Sequence, residues 1–374
     1  MTEDFTPFAL EREMSIWEHQ VEYNISESGV HPMSIQELVT DPGFIEKILS
    51  TELNYPQTNG TVELREHIAA LYPGATADNV LVTTGAAQAN FTTFMTLLIQ
   101  GDEVAIMMPN YLQIWGIARN QGLQVRTFPL KEELAWGLDQ EALKRAITER
   151  TKLIAVCNPN NPTGHIMTSE EMAMVVTAAS QVGAWILADE IYAGAERVTD
   201  QITPSFWGRY DRVLAVGSLS KAYGLPGLRL GWVVAPEKVV EAIWARQDYV
   251  TICSTMLANQ LGVYVLSPEV RPRILTRSRQ YVRDGYENFE RWCRQHDDLF
   301  SWIPPQAAAI AFVRYRREAG SVELVNRLIQ EQSTYVAPGT HFGLDHHLRL
   351  SFGLPEDYVS EALRRVYAVV SSAS

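Results

Sequence analysis

Lys221 is notable for the company it keeps. It sits in "SLSKAYGLPGLRLGW" (218–232), with the hydroxyls of Ser218 and Ser220 and the guanidinium of Arg229 inside the same glycine-rich run. A lysine in such surroundings is placed to act as an amine nucleophile; read by itself, it is equally an exposed loop lysine. Four other stretches carry comparable chemistry. "TGAA" (84–87) opens a helical pattern, and its small residues, with Gly85, Ala86 and Ala87 first, let backbone N–H groups approach an anion. "PNY" (109–111) puts the aromatic ring of Tyr111 after an apolar run, where packing is the plainer reading. "NPNNPTG" (158–164) holds three asparagines and two prolines, and its amides are costly to bury unless paired. "ADEIYAG" (188–194) ends an apolar run on Asp189, whose carboxylate needs a cationic partner if buried and is otherwise a helix cap.

The elements that must position these groups are legible. "VLVTT" (80–84), "EVAIMM" (103–108), "KLIAVC" (152–157), "AWILAD" (184–189), "RVLAVG" (212–217) and "GWVVA" (231–235) read as buried strands. Helical patterns separate several of them. One is "AAQANFTTFMTLLI"; another opens with Thr168 and Glu171 spaced as a capping box, with Met172, Val175, Val176 and Ala179 on one face. Continuous apolar strands between helices predict an α/β fold, a mostly parallel sheet sandwiched by helices. After about residue 270 the texture changes to a long amphipathic helix, "RPRILTRSRQYVRDGYENFERWCRQ", followed by short strands ("AAAIAFV", "LRLSFG") and helices. The expectation is a large domain over 46–268 and a smaller α+β domain from 1–45 and 269–374.

Each reactive stretch follows a strand, and parallel sheets bind ligands at the carboxyl ends of their strands. Anion-binding turn, aromatic, amide, carboxylate and lysine together supply what pyridoxal 5'-phosphate needs: donors for the phosphate, a carboxylate for the pyridine nitrogen, an amine for the aldehyde. The chain resembles the class I/II aminotransferases of fold type I over essentially its whole length, on "NPNNPTG", "ADEIYAG" and "SLSKAYGLPGLRLGW". That resemblance implies the aspartate aminotransferase-like architecture and a set of roles. Lys221 would form the Schiff base and carry the proton, and Asp189 would pair with the pyridinium nitrogen. Tyr192 and Asn161 would bond the phenolic oxygen, and Tyr111 would stack on the ring. Ser218, Ser220, Arg229 and the backbone of Gly85, Ala86 and Ala87 would hold the phosphate. Tyr55, in "LNYPQTNGTVELRE", would reach the phosphate of a neighbouring subunit, which implies a homodimer with shared active sites. Arg349, in "HHLRLSFG", would clamp the substrate carboxylate in a bidentate pair.

The shared site does not choose the reaction. An Arg349 clamp and a Lys221 base favour breaking the Cα–H bond, which leaves transamination of an α-amino acid and β/γ-elimination or cyclisation. "NISESGVHPM" bears on the choice, because with "YVAPGTHFG" it is similar to capreomycidine synthases, which cyclise hydroxylated arginine. Two features set the chain apart from them: Glu27 stands where their pattern has serine, and Tyr192 where they carry a phenylalanine-type residue. The expectation is therefore an aminotransferase acting on amino and keto acids. Gly29 would approach the substrate carboxylate, and Glu27 would favour a cationic or amine-bearing side chain if it lines the pocket. The alternatives are that Glu27 faces solvent or caps the helix expected in "IQELVTD", and that His31 is only a turn residue.

Composition narrows the remaining classes. The 374 residues carry a net charge of −13, which lacks the basic footprint of a nucleic-acid binder. No apolar run reaches the ~18 residues of a membrane span. The three cysteines, Cys157, Cys253 and Cys293, are widely spaced and match neither a disulfide framework nor a zinc site. His346 and His347 with Asp345 make an incomplete ligand set, so no metal is expected. The acidic N-terminus has no signal pattern, and a cytoplasmic enzyme is the expectation.

Overall fold

The computed structural model describes residues 5–373. Its centre is an eight-stranded sheet. In spatial order the strands are Val80–Thr83, Gly231–Val234, Val213–Ser218, Trp185–Asp189, Thr151–Cys157, Glu103–Met108, Gln124–Lys131 and Gly137–Leu138. From Val213–Ser218 through Gln124–Lys131 the pairing is parallel. Gly231–Val234 is antiparallel to both neighbours. A parallel return needs a crossover, usually a helix, and the short lysine loop between Ser218 and Gly231 holds only one turn of 3₁₀ helix, Pro226–Leu228.

The central strands are apolar throughout because both faces are covered. Ile154 and Val156 enter one core and Leu153 and Ala155 the other, and Ile186/Ala188 against Leu187 repeats the alternation. Gln124–Lys131 was not anticipated as a strand. Its neighbour on the outer side is only two residues long, so it is nearly an edge, and its residues are mostly exposed or half-buried. The capping box forms as the spacing predicts: the Thr168 side chain accepts from Glu171 N and the Glu171 carboxylate accepts from Thr168 N.

The 25-residue helix Arg271–Gln295 links this sheet to a four-stranded antiparallel one, ordered Phe300–Trp302, Ile310–Tyr315, His347–Ser351, Ala337–Pro338. Against that second sheet pack Ser321–Gln332 and Glu356–Ser372. The N-terminal chain joins here, since Tyr23–Asn24 pairs in parallel with Thr334–Tyr335. "IQELVTD" is only one turn of helix, Ile35–Leu38, where a longer one was expected. Pro42 disfavours helical backbone at the residue before it, and Asp41 is extended and caps the next helix, Pro42–Leu49. That helix spans the expected boundary between 45 and 46.

Candidate active site

A cavity of about 400 Å³ opens at the carboxyl ends of the parallel strands. Lys221, Asp189, Tyr192, Asn161, Arg349, Ser218, Ser220, Arg229, Tyr111, Ala86, Ala87 and Glu27 all line it. Positions spread from 27 to 349 thus converge: Ala86, Ala87, Tyr111, Asn161, Asp189, Tyr192, Ser218, Ser220 and Lys221 end or follow strands of the large sheet, while Arg349 comes from the middle of His347–Ser351 in the second sheet. A larger cavity of about 560 Å³ lies behind it, sharing Ile191 and Ser218. It is lined by the buried Glu190 and the half-buried Arg271 but by no lysine.

The anion cradle is built by close packing. Arg229 donates to the Ser220 hydroxyl at 3.3 Å, and Ser218 bonds the same hydroxyl at 3.0 Å. Gly85 precedes the helix Ala86–Leu97 with φ +80, and a Cβ there would lie 2.5 Å from an Arg229 nitrogen. A Cβ on Gly231 would lie 2.5 Å from Ala86 N. Only glycine lets the guanidinium and the helix start come so near each other.

Asp189 is buried and makes no salt bridge among the described residues. It accepts a hydrogen bond from Ile191 N at 3.3 Å, and because the residues after it form a turn rather than a helix it is not a helix cap. Burial pushes its carboxyl up to about 6. Arg349 is also buried, and among the described residues no carboxylate bonds it. One terminal nitrogen donates to Asn161 Oδ1 at 2.9 Å, the other donates to the Ser26 carbonyl, and its Nε has no partner. The Phe342 ring lies 4.8 Å from its guanidinium carbon. A buried acid without a cation and a buried cation without an acid are both groups that a ligand would complete.

Around them the walls are defined. The Tyr192 hydroxyl donates to Ser28 Oγ at 2.8 Å. The Tyr111 hydroxyl donates to Glu11 Oε1 at 2.5 Å and its ring meets Phe8 edge-on. The amide oxygens of "NPNNPTG" are paired: Asn160 accepts from Thr163, Asn158 accepts from Met167 N, and Asn161 accepts from Arg349, while Asn158 Nδ2 has no partner among the described residues. Glu27 turns inward. Its Oε2 lies 3.2 Å from Lys221 Nζ, and Lys221, with Arg349 behind it, holds the carboxyl below its usual range. The helix-capping alternative for Glu27 fails, because Ser34 caps Ile35–Leu38 itself.

Not every expected residue reaches the cavity. Gly29 is displaced from the wall: it packs against the Ser220 carbonyl and the Lys221 side chain, and Ser28 and Glu27 take the surface position. His31 does not line the cavity either; its ring lies beside Tyr281. Tyr55 is 78% exposed and lines a separate groove with Cys253 and Met256. Conversely, Glu11, Phe8 and Met14 belong to the cavity and were not anticipated. Nothing in "FALEREMSIW" distinguishes it from any surface helix; only its seat against Tyr111 does. Ser28 could have been found as the hydroxyl between two expected residues.

These groups fit pyridoxal phosphate. Asp189 would meet a pyridinium N–H, the Ser218–Ser220–Arg229 cradle at a helix start would meet a phosphate, and the Lys221 amine faces the same space. Comparison with known proteins agrees. Residues 38–366 match the family model described as aminotransferase class I and II. A capreomycidine synthase of Streptomyces vinaceus is 28% identical, the match covering 93% of this chain and 89% of the relative. An aspartate aminotransferase of Streptomyces avermitilis is 29% identical, over 85% of this chain and 82% of the relative. The crystal structure of a PLP-dependent aminotransferase from Streptococcus suis superimposes with a TM-score of 0.92 at 29% identity, covering 100% of this chain and 99% of that one. With its motifs, fold and cavity agreeing, the chain belongs to the aminotransferase class I and II family and is a pyridoxal-phosphate-dependent enzyme.

Proposed function

We propose that the protein transaminates an α-amino acid, with Lys221 as the group that binds the cofactor and moves the α-proton. The observation that carries this reading is the junction of three groups on one cavity: the Lys221 amine, the uncompensated Asp189 and the carboxylate-free Arg349. Arg349 would take the substrate carboxylate in its fixed fork, with Asn161 and Phe342 holding the guanidinium plane. That contact orients the substrate so that the Cα–H bond faces Lys221 Nζ, which accepts the proton and returns it. Pyridoxal phosphate supplies the electron sink that makes this proton removable. Asp189 would keep the ring nitrogen protonated. Gly85, Ala86, Ala87, Ser218, Ser220 and Arg229 would hold the phosphate, Tyr192 and Asn161 would border the phenolic oxygen, and Tyr111 would cover the ring.

Specificity falls to Glu27. When Lys221, Arg229 and Arg349 serve cofactor and substrate carboxylate, Glu27 faces the cavity as an acid, which favours a cationic or amine-bearing side chain and opposes aspartate and glutamate. The enzyme would act as a cytoplasmic homodimer, Tyr55 reaching the phosphate of the second chain; its exposure in its own subunit supports this. A second reading, elimination or cyclisation of an arginine-like amino acid, is favoured by the capreomycidine synthase relative and by the "SESGV" segment, whose Glu27 and Ser28 line the cavity. A screen of amino acids against the visible absorption of the holoenzyme, with product identification, separates the two. A keto acid with the cofactor in its amine form supports transamination; ammonia or water release with a cyclised product supports the second; no spectral response to any α-amino acid refutes both.

A further inference from the structure

Among the described residues Lys221 makes one ion pair, and its partner is Glu27. The contact is built rather than incidental. Glu27 Oε2 also accepts from Ser28 N at 3.3 Å. The residue before it is anchored through its carbonyl to Arg349, and Ser26 Oγ donates to Asn24 Oδ1 at 2.7 Å. The residue after it bonds Tyr192, and a Cβ added at Gly29 would lie 3.7 Å from the Lys221 side chain, so the segment runs close beside it. The strand pair Tyr23–Asn24 with Thr334–Tyr335 holds the segment from behind.

The other ionisable groups around this pair are occupied or differently placed. Arg349, from His347–Ser351, is bound to Ser26 and Asn161. Glu11, from the helix Ala9–Trp17, takes the Tyr111 hydroxyl. Tyr192, beyond Trp185–Asp189, is bonded to Ser28, while Asp189 bonds the backbone of Ile191. Arg229 is engaged with Ser220. Glu27 is thus the carboxylate in direct contact with the nitrogen.

We propose that Glu27 is a positioning residue that keeps the nitrogen joining Lys221 to the cofactor protonated across neutral pH. The inference rests on the reading of Lys221 as the cofactor-binding lysine. Joining the cofactor changes the substituent on Nζ but not the backbone that carries it, and that backbone is packed against Gly29. A carboxylate within about 4–6 Å of a cationic nitrogen favours the protonated form by roughly 1–3 pKa units. Protonation in turn draws electrons from the carbon that an incoming amino group attacks. Glu27 would therefore act before any substrate side chain meets it, which is a role separate from specificity.

The test is a pH titration of the visible absorption of the substrate-free holoenzyme, comparing the unaltered protein with Glu27→Gln and Glu27→Asp. Glu27→Gln is expected to lower the midpoint, so that the proton is lost at a pH about one unit lower or more, with cofactor still bound. Glu27→Asp, which keeps the charge, is expected to retain most of the parent midpoint. A parent-like midpoint in Glu27→Gln overturns the proposal while leaving Lys221 as the cofactor lysine. A missing covalent band in the unaltered protein, or one that survives Lys221→Ala, overturns instead the reading on which it rests.

Discussion

Two buried charges carry the residue-scale consequences. Asp189 has its carboxyl raised by burial from the ordinary 3.8 to about 6. Such an acid supports folding fully while protonated in both states, and that support is lost as pH rises from about 4 through about 6. At neutral pH the unliganded fold therefore bears a penalty of about 3 kcal/mol at this group, which a cationic ring nitrogen would relieve. In Asp189→Asn, the cofactor-free protein should melt higher than the parent at pH 7 to 8 and lose part of the pH dependence below 6, while cofactor affinity falls. Thermal melts across pH, with and without cofactor, check both signs. Glu190, pushed up to about 7 by the same burial, keeps some pH dependence in that variant. Arg349 gives a cleaner separation of binding roles. Removing a charged hydrogen-bonding group costs about 1.5–3 kcal/mol, so Arg349→Ala should raise the amino-acid KM by roughly 10- to 100-fold. Cofactor affinity should change far less, and equal losses would remove Arg349 from the carboxylate site.

At the scale of elements, the turn into the helix Ala86–Leu97 is the sensitive joint. Gly85 has φ +80, and an alanine there would press its Cβ against the Arg229 guanidinium. The arginine tip can move aside, so the fold should survive Gly85→Ala. The backbone strain remains, at about 1–3 kcal/mol, and the displaced guanidinium leaves the cradle. The expected outcome is a lower Tm together with weaker phosphate-dependent cofactor binding, read by calorimetry and by titration with pyridoxal phosphate against pyridoxal. The helix Ser169–Val182 is a contrasting case. Its capping box was readable from Thr168 and Glu171 because capping is local, one side chain bonding a backbone three residues away. Thr168→Ala should cost about 1 kcal/mol in denaturant melts and leave the cavity unchanged.

At the scale of the whole molecule, the wall of the cavity that carries Glu27, Ser28 and Arg349 is assembled from chain ends that only the fold brings together. Residues 23–33 bond to positions beyond 330 on one side, as in Ile25 with Tyr335 and His31 with Gly353. On the other side they meet the lysine loop, as in Met33 with Gly224. In the proposed homodimer Tyr55 would extend the same logic beyond one chain. If it serves a second copy, Tyr55→Phe should weaken cofactor binding severalfold, the loss of about 1 kcal/mol from one hydrogen bond. The assembly seen in sedimentation should not change. Unaltered cofactor affinity would confine Tyr55 to the groove it lines with Cys253.

What the amino-acid sequence determined by itself was the cofactor chemistry and the sheet that carries it. Lysine, aspartate, asparagines and the small residues of the phosphate turn each follow an apolar run, and runs buried on both faces are recognisable without tertiary information. The shallow strand Gln124–Lys131 escaped because near-edge burial leaves a mixed pattern. The tertiary structure alone decided which way Glu27 points, that Ser28 rather than Gly29 forms the wall, and that Glu11 reaches Tyr111. Those are contacts between residues about 100 to nearly 200 positions apart. No local periodicity encodes them, because they arise only when two chain segments are packed against the same sheet end.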